Sequence, residues 1–361
     1  MDLKKFMRPE LDRFAGYAAC KSPEALDDVT RALGICKLDA NENVYGPSPR
    51  VRSAFASFND AHIYPDSCQT ELRKALAGYT GVPADRIVAG SGSDQLIDLL
   101  VRLFISPGDE VLTATPTFAM YKFFTELSAG KFIGVPRDQD FNFTPEKLLS
   151  AVSNKTKLVF IAMPNNPTGT QVSKRTIEKI LETGLPVVVD EAYYEFTGQT
   201  MAPEIGKHPN LMVLRTFSKW AGLAGLRVGY GLFPEDVATR LDAIKDPYCV
   251  NTAAVAAARE SLKDIDYLMS NVRLIVSERE RLFQALAGIE YLKPYPSAAN
   301  FILCEINGKD AAEIQRVLER RGILVRYFNS PQMENYLRFS IGRPGDTDRL
   351  IAQLRKIGEI T

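Results

Sequence analysis

Through its first 245 residues the chain alternates short, nearly continuous apolar runs with stretches whose apolar positions recur at helical spacing. The runs "RIVAG" (86–90), "DEVLTATP" (109–116), "KFIGVPR" (131–137), "TKLVFIA" (156–162), "LPVVVDEAY" (185–193), "NLMVLRTFS" (210–218) and "LRVGYGLF" (226–233) read as strands. Between them, 68–81, 94–104, 118–128, 144–152 and 173–184 read as amphipathic helices, the fourth capped by Thr144 and begun by Pro145. Strands apolar on both faces and separated by helices predict an α/β fold with a mostly parallel sheet. Past 245 the texture changes. A long helical region (252–289) precedes a strand (299–306), a helix (310–322) and another strand (336–342), which reads as a smaller α/β domain. The expected division is an N-terminal arm packing with the small domain (1–40), a large domain (41–247) and a small C-terminal domain (248–361).

Composition then narrows the function. The 361 residues carry 44 Lys plus Arg and 44 Asp plus Glu, a balance that argues against broad capture of nucleic acid or anionic membrane. The five cysteines are scattered, without CxxC spacing, as expected of free thiols in a reducing compartment. The start "MDLKKFMRPELDRF" has no continuous apolar stretch, so neither a signal peptide nor a membrane span is expected, and the cytoplasm is the default location. Only two histidines, His62 and His208, are present. No metal centre is expected, and a Ser-His-Asp system is a poor fit, so proton transfer should fall to another residue type.

Ligand sites of open parallel sheets lie outside the carboxyl ends of the strands. Four strand ends carry chemistry there: the "SGS" turn at 91–93, Asn166, Asp190, and Ser218 with Lys219. The turn "GSGSD" (90–94) leads into a helix and offers an anion seat, although the same pattern also makes an ordinary strand-to-helix turn, and its spacing is neither a dinucleotide fingerprint nor a Walker loop. Asp190 closes an apolar strand and needs a cation or hydrogen-bond donors, either a protein ion pair or the ring nitrogen of a cofactor. Lys219, taken bare, is most simply a solvated lysine; at the rim of an apolar cleft it can have a depressed pKa and form a Schiff base with a carbonyl. Thr216, Ser218 and Arg227 together suit a phosphate monoester.

The stretches "NNPTG", "VVVDEAY" and "SKWAGLAGLRVGY", in this order and at these separations, resemble the fold-type I pyridoxal-phosphate aminotransferases over essentially the whole chain. The resemblance implies pyridoxal 5'-phosphate as cofactor, with Lys219 bonded to its aldehyde carbon and Asp190 on its pyridine nitrogen. It further implies Asn166 and Tyr193 on the phenolic oxygen, Phe118 stacked on the ring, and Gly92, Ser93, Thr216, Ser218 and Arg227 around the phosphate, with Asp94 also at the cofactor. Lys219, Asp190 and Tyr193 would be the catalytic residues. "LDANENVYGPSP", "YPD" (64–66), "GSGSDQLIDLLVR", "TPTFAMY" and "ANFILCEI" are most similar to the histidinol-phosphate aminotransferases. That similarity implies Tyr17, Asn43, Tyr248, Arg326 and Arg338 at the substrate, with Tyr121 a further candidate. It also implies a homodimer with sites at the subunit boundary, where Tyr64 crosses to the partner's cofactor phosphate. The reaction implied joins histidinol phosphate and 2-oxoglutarate, in histidine biosynthesis. Related enzymes use aromatic amino acids or decarboxylate threonine phosphate. Departures from the family pattern are Trp220 and Ala221 after the lysine, Ser67 after "YPD" and Ala119 where glycine is usual.

Overall fold

The computed structural model describes residues 3–11, 14, 16, 17 and 19–359, with the side chains of Glu10 and Val29 left aside. Its strands are β1 (Cys36–Leu38), β2 (Ile87–Gly90), β3 (Glu110–Thr115), β4 (Lys131–Pro136), β5 (Thr156–Ala162), β6 (Val187–Asp190), β7 (Leu211–Thr216), β8 (Gly229–Leu232), β9 (Leu292–Pro294), β10 (Phe301–Ile306), β11 (Ile323–Tyr327) and β12 (Tyr336–Ser340). Seven form the large sheet in the order β2-β8-β7-β6-β5-β3-β4, parallel except for β8, which is antiparallel to both neighbours. The smaller sheet runs β1-β11-β12-β10-β9; β1 is parallel to β11 and the other pairs are antiparallel. Thus β1, from the N-terminal segment, is a strand of the small sheet.

The continuous apolar runs are explained by cover on both faces of the large sheet. Val88, Leu158, Phe160, Val188, Met212 and Leu214 join one buried cluster with Leu96, Ile97 and Leu100 of the helix Gly92–Phe104. Their alternates Ile87, Ala89, Val159, Ile161, Val187, Val189, Leu211 and Val213 join the other. Side chains two apart share a face, so Asp190 continues the Val188 face and Thr216 the Leu214 face. Both therefore emerge on the side where the helix Gly92–Phe104 begins. Glu191 and Arg215 emerge on the opposite side, where they form a buried ion pair at 2.9 Å.

Caps behave as their residue types require. Thr144 accepts from the Lys147 N–H and Ser173 from the Thr176 N–H, while Gly81 ends its helix at φ 73°. The long region after 251 breaks into Thr252–Leu262 and Ile265–Ala287, and the first of these packs against Pro49–Ala56 and Thr70–Thr80. Pro49–Ala56, β11 and the C-terminal helix Pro344–Glu359 are elements the apolar pattern did not announce. No helix among the described residues is long and apolar enough to cross a membrane.

Candidate active site

A cavity of about 820 Å3 opens at the carboxyl ends of the parallel strands and is closed on its far side by the small sheet and the segment around Tyr17. Asp190 lies at its floor, with 5% of its surface exposed. Its carboxylate accepts from the Tyr121 hydroxyl (2.6 Å) and the Ala192 N–H (3.0 Å). Among the described residues it has no cationic partner. Burial pushes its pKa up to about 6 against the pull of those two hydrogen bonds. A buried carboxylate left without a cation is a seat for a protonated ring nitrogen.

Lys219, half-buried, donates from Nζ to the Ala40 carbonyl at 3.0 Å. Burial, and then repulsion from the Arg338 guanidinium, lower its pKa to about 8. This makes it a nucleophilic amine rather than the solvated lysine its bare sequence allowed. Asn166 and Tyr193 line the same cavity. The Tyr193 oxygen accepts from Asn41 Nδ2 at 2.9 Å, and burial raises its pKa to about 12. Phe118 forms a wall, edge-on to Tyr121 at 5.7 Å.

Beside these groups is an anion cradle. Ser93, Thr216, Ser218 and Arg227 face the cavity at the start of the helix Gly92–Phe104, where unpaired N–H groups and the helix dipole favour negative charge. The Ser218 N–H donates to Thr216 Oγ1 (3.1 Å), and Arg227, in the left-handed region at φ 54°, reaches Asp94 at 2.7 Å. Asp94, which also lines the cavity, thereby orients the guanidinium. Gly92 has φ 74°, where a side chain is strained, and a Cβ there would stand 2.5 Å from Arg227 Nη2 and push the guanidinium aside. At Gly229 a Cβ would meet the Ser93 nitrogen at 2.5 Å; its absence lets β8 press against the helix start.

The opposite wall is cationic. Arg338, 5% exposed, donates to Asn166 Oδ1 (2.6 Å) and the Asp39 carbonyl (2.5 Å), and its buried Nε has no partner among the described residues. Burial lowers its pKa. Arg326 lies 5.9 Å from the Tyr17 ring centroid and contacts Cys20 Sγ at 3.6 Å. All four of these residues line the cavity.

Two expected substrate residues lie elsewhere. Asn43 is buried off the cavity: its amide donates to the Trp220 carbonyl (2.7 Å) and accepts from the Tyr45 N–H (3.0 Å), so both ends serve the loop. Tyr248 does not line the cavity; it stacks on Tyr64 at 4.5 Å, both rings on the surface. Tyr64 thus stands outside its own chain's cavity. Conversely, Tyr121 has a firmer place than its sequence suggested. It lies three residues after Phe118, the N-cap of its helix, a spacing that could have placed it. Ala40 and Asn41 lie within the "LDANENVYGPSP" stretch without being singled out by it, and Cys20 carries no motif signal.

The donor set fits pyridoxal phosphate: an amine of lowered pKa, an unpaired buried carboxylate, an aromatic wall and a glycine-opened anion seat surround one cavity. Residues 34–354 match the family described as aminotransferase class I and II, and the chain belongs to it. It is a pyridoxal-phosphate-dependent aminotransferase of α/β fold. Over 358 residues it is 58% identical to the histidinol-phosphate aminotransferase of Dehalococcoides mccartyi (strain CBDB1), covering 99% of each chain. It is 43% identical over 358 residues to the chloroplastic histidinol-phosphate aminotransferase of Nicotiana tabacum, covering 97% of this chain and 86% of that one. The crystal structure of histidinol-phosphate aminotransferase from Sinorhizobium meliloti in complex with pyridoxal-5'-phosphate matches with a TM-score of 0.85 at 30% identity, covering 98% of this chain and 97% of that one.

Proposed function

We propose that this chain transfers the amino group of L-histidinol phosphate to 2-oxoglutarate, giving imidazole-acetol phosphate and L-glutamate, in histidine biosynthesis. The observation that carries the donor assignment is the second cationic wall. Arg326, Arg338 and Tyr17 face the same cavity as Lys219 but stand apart from the cradle of Thr216, Ser218 and Arg227. One cavity with two anion grips suits a phosphorylated cofactor beside a phosphorylated substrate. The full-length identity to histidinol-phosphate aminotransferases supports the same reading.

When bound, pyridoxal phosphate supplies an aldehyde for condensation with amines and a ring that withdraws electrons. The residues divide the remaining work. Ser93, Thr216, Ser218 and Arg227 would hold the phosphate, with Gly92 leaving room and Asp94 aiming the guanidinium. Asp190 would keep a proton on the ring nitrogen, and Phe118 would bound the ring's face. Asn166 and Tyr193 would hold the phenolic oxygen. Lys219 Nζ is the proton carrier: with a pKa near 8 it is free to take a proton from the substrate carbon and, once protonated, to give it up again. This leaves no task for histidine. Arg326 and Tyr17 would grip the substrate phosphate. Arg338 would serve the donor and also the carboxylate of the second substrate, which explains its central, buried position.

The working unit in this proposal is a homodimer in which Tyr64 reaches the partner's cofactor phosphate; its 78% exposure and its place off its own cavity support that reading. A cytoplasmic location is supported by five free thiols.

A panel of donors tests the assignment. Histidinol phosphate with 2-oxoglutarate should yield glutamate far faster than phenylalanine, tyrosine, histidine or aspartate does, and phosphothreonine should release no carbon dioxide. Replacing Arg326 by Ala should lower kcat/KM for histidinol phosphate by about 100-fold or more, the scale of a lost charge-assisted hydrogen bond or two. Phenylalanine turnover should change little. Equal losses with both donors would remove the phosphate role from Arg326.

A further inference from the structure

Three consecutive residues between β1 and the large sheet touch three site residues. The Asp39 carbonyl holds Arg338, the Ala40 carbonyl holds Lys219, and the Asn41 side chain holds Tyr193. Asn41 is the most constrained of them. It is 1% exposed and sits in the left-handed region at φ 54°, a conformation asparagine tolerates better than most residues. All four of its polar groups are used. Its N–H donates to Ser340 Oγ (2.9 Å), its Oδ1 accepts from the same hydroxyl (2.8 Å), and its carbonyl accepts from Asn300 Nδ2 (3.0 Å). The other three groups bond to residues of the small sheet or its edge, whereas the fourth, Nδ2, donates to the Tyr193 hydroxyl at 2.9 Å.

The geometry has a direction. Ser340 ends β12, the strand that carries Arg338 two residues earlier, and Asn300 directly precedes β10, the neighbour of β12. Asn41 is thus gripped at three points by the strand pair that presents the substrate arginine. It passes that grip to the hydroxyl of a residue on the cofactor side of the cavity. Because Asn41 donates, the Tyr193 oxygen is the acceptor, and the phenol's own hydrogen stays available for a second partner in the cavity that Tyr193 lines. The same donation works against the burial that raises the Tyr193 pKa, so the hydroxyl is a stronger donor than burial alone would leave it.

We propose that Asn41 is a positioning residue that aims the Tyr193 hydroxyl at the cofactor's phenolic oxygen and makes that aim depend on the seating of the small sheet. The inference rests on the reading that Tyr193 serves that oxygen. Seating of β12 around a bound substrate then reaches the cofactor along a path of three side chains joined by two hydrogen bonds, Ser340 to Asn41 to Tyr193.

The test is a pH titration of the visible absorption band of the enzyme loaded with pyridoxal phosphate. A hydrogen bond donated to the phenolic oxygen favours the deprotonated form of the chromophore, so weakening it moves the midpoint up. Asn41→Gly keeps the left-handed backbone and removes the amide; the midpoint should rise by roughly half to one pH unit, the equivalent of one net hydrogen bond. Asn41→Asp should raise it at least as far, since a carboxylate would draw the Tyr193 proton to itself. Ser340→Ala should produce a smaller rise of the same sign. Tyr193→Phe should produce the full rise, and the double variant Asn41→Gly/Tyr193→Phe none beyond it. A midpoint unchanged by Asn41→Gly, with only the unfolding temperature lowered, would overturn the proposal, as would full additivity with Tyr193→Phe. A Tyr193→Phe midpoint equal to that of the parent would refute the reading of Tyr193 and the proposal with it.

Discussion

Burial and the Arg338 guanidinium act on the Lys219 ammonium in the same sense, and both depend on the surrounding fold. In the cofactor-free protein an amine-acylating reagent should therefore modify Lys219 with a midpoint near pH 8, below the ordinary lysine value of 10.5, read peptide by peptide by mass spectrometry. Replacing Arg338 by Met should move that midpoint up, because it deletes the second cause. The linkage has a sign as well. Between about pH 8 and 10.5 the native state holds fewer protons at Lys219 than the unfolded chain does, so its contribution to stability rises with pH there. Asp190 works the other way. Its pKa is raised from 3.8 to about 6, so its contribution falls as pH climbs through that window. Both residues were legible in the sequence because they end or follow apolar strands, where the topology of parallel sheets aims ligand groups. For Asn43 the motif located the loop, but only folding shows its partners, the Trp220 carbonyl and the Tyr45 N–H. Asn41 and Ala40 act through irregular backbone and partners some 150 to 300 residues away, which no local pattern encodes.

Among elements, the ends of β6 and β7 set the spacing between the Asp190 carboxylate and the hydroxyls of Thr216 and Ser218. Alternation sends Asp190 and Thr216 to the cavity and Glu191 and Arg215 to the other face. There Arg215 Nε also donates to Glu191 at 3.0 Å, and the guanidinium lies 3.6 Å over the Tyr194 ring. Both side chains are almost fully buried. Changing Glu191 to Gln leaves a buried guanidinium with its charge uncompensated by this partner, and should lower stability by about 3 kcal/mol. Changing Glu191 and Arg215 together to Met should recover part of that loss, since the pair is removed whole while the buried Glu195 carboxyl loses the cation that Arg215 supplies. Chemical denaturation of the cofactor-free single and double variants measures both. If the single and double variants are equally destabilised, the clasp is not an ion pair that matters. At this scale the sequence revealed the parallel core well, because burial on both faces writes continuous apolar runs. It revealed less where burial is one-sided or short. β11 is five residues embedded in a charged segment, and its place in the sheet is fixed by β1, nearly 290 residues earlier.

On the scale of the whole molecule, the outward-facing Tyr64 is the feature least explained by one chain. With Tyr248 it forms a stacked pair on the surface, beside Ile63, which is also exposed. Large apolar groups gathered on a surface mark an interaction site. In the proposed homodimer, a two-fold axis would give each chain's Tyr64 to the other's cofactor phosphate. Apolar periodicity carries no trace of such an arrangement, since it records burial within a chain. Subunit mixing tests it. Lys219→Ala and Tyr64→Ala homodimers should each be impaired, the first almost completely. When the two are unfolded, mixed and refolded, about half of the dimers should be heterodimers, and in each of these one of the two sites should regain both intact residues. Activity should then rise toward about a quarter of that of the parent. If Tyr64 instead serves its own chain, every site in the heterodimer keeps one defect and mixing brings no gain. A mixture no more active than the average of its components would leave Tyr64 without a role across the subunit boundary.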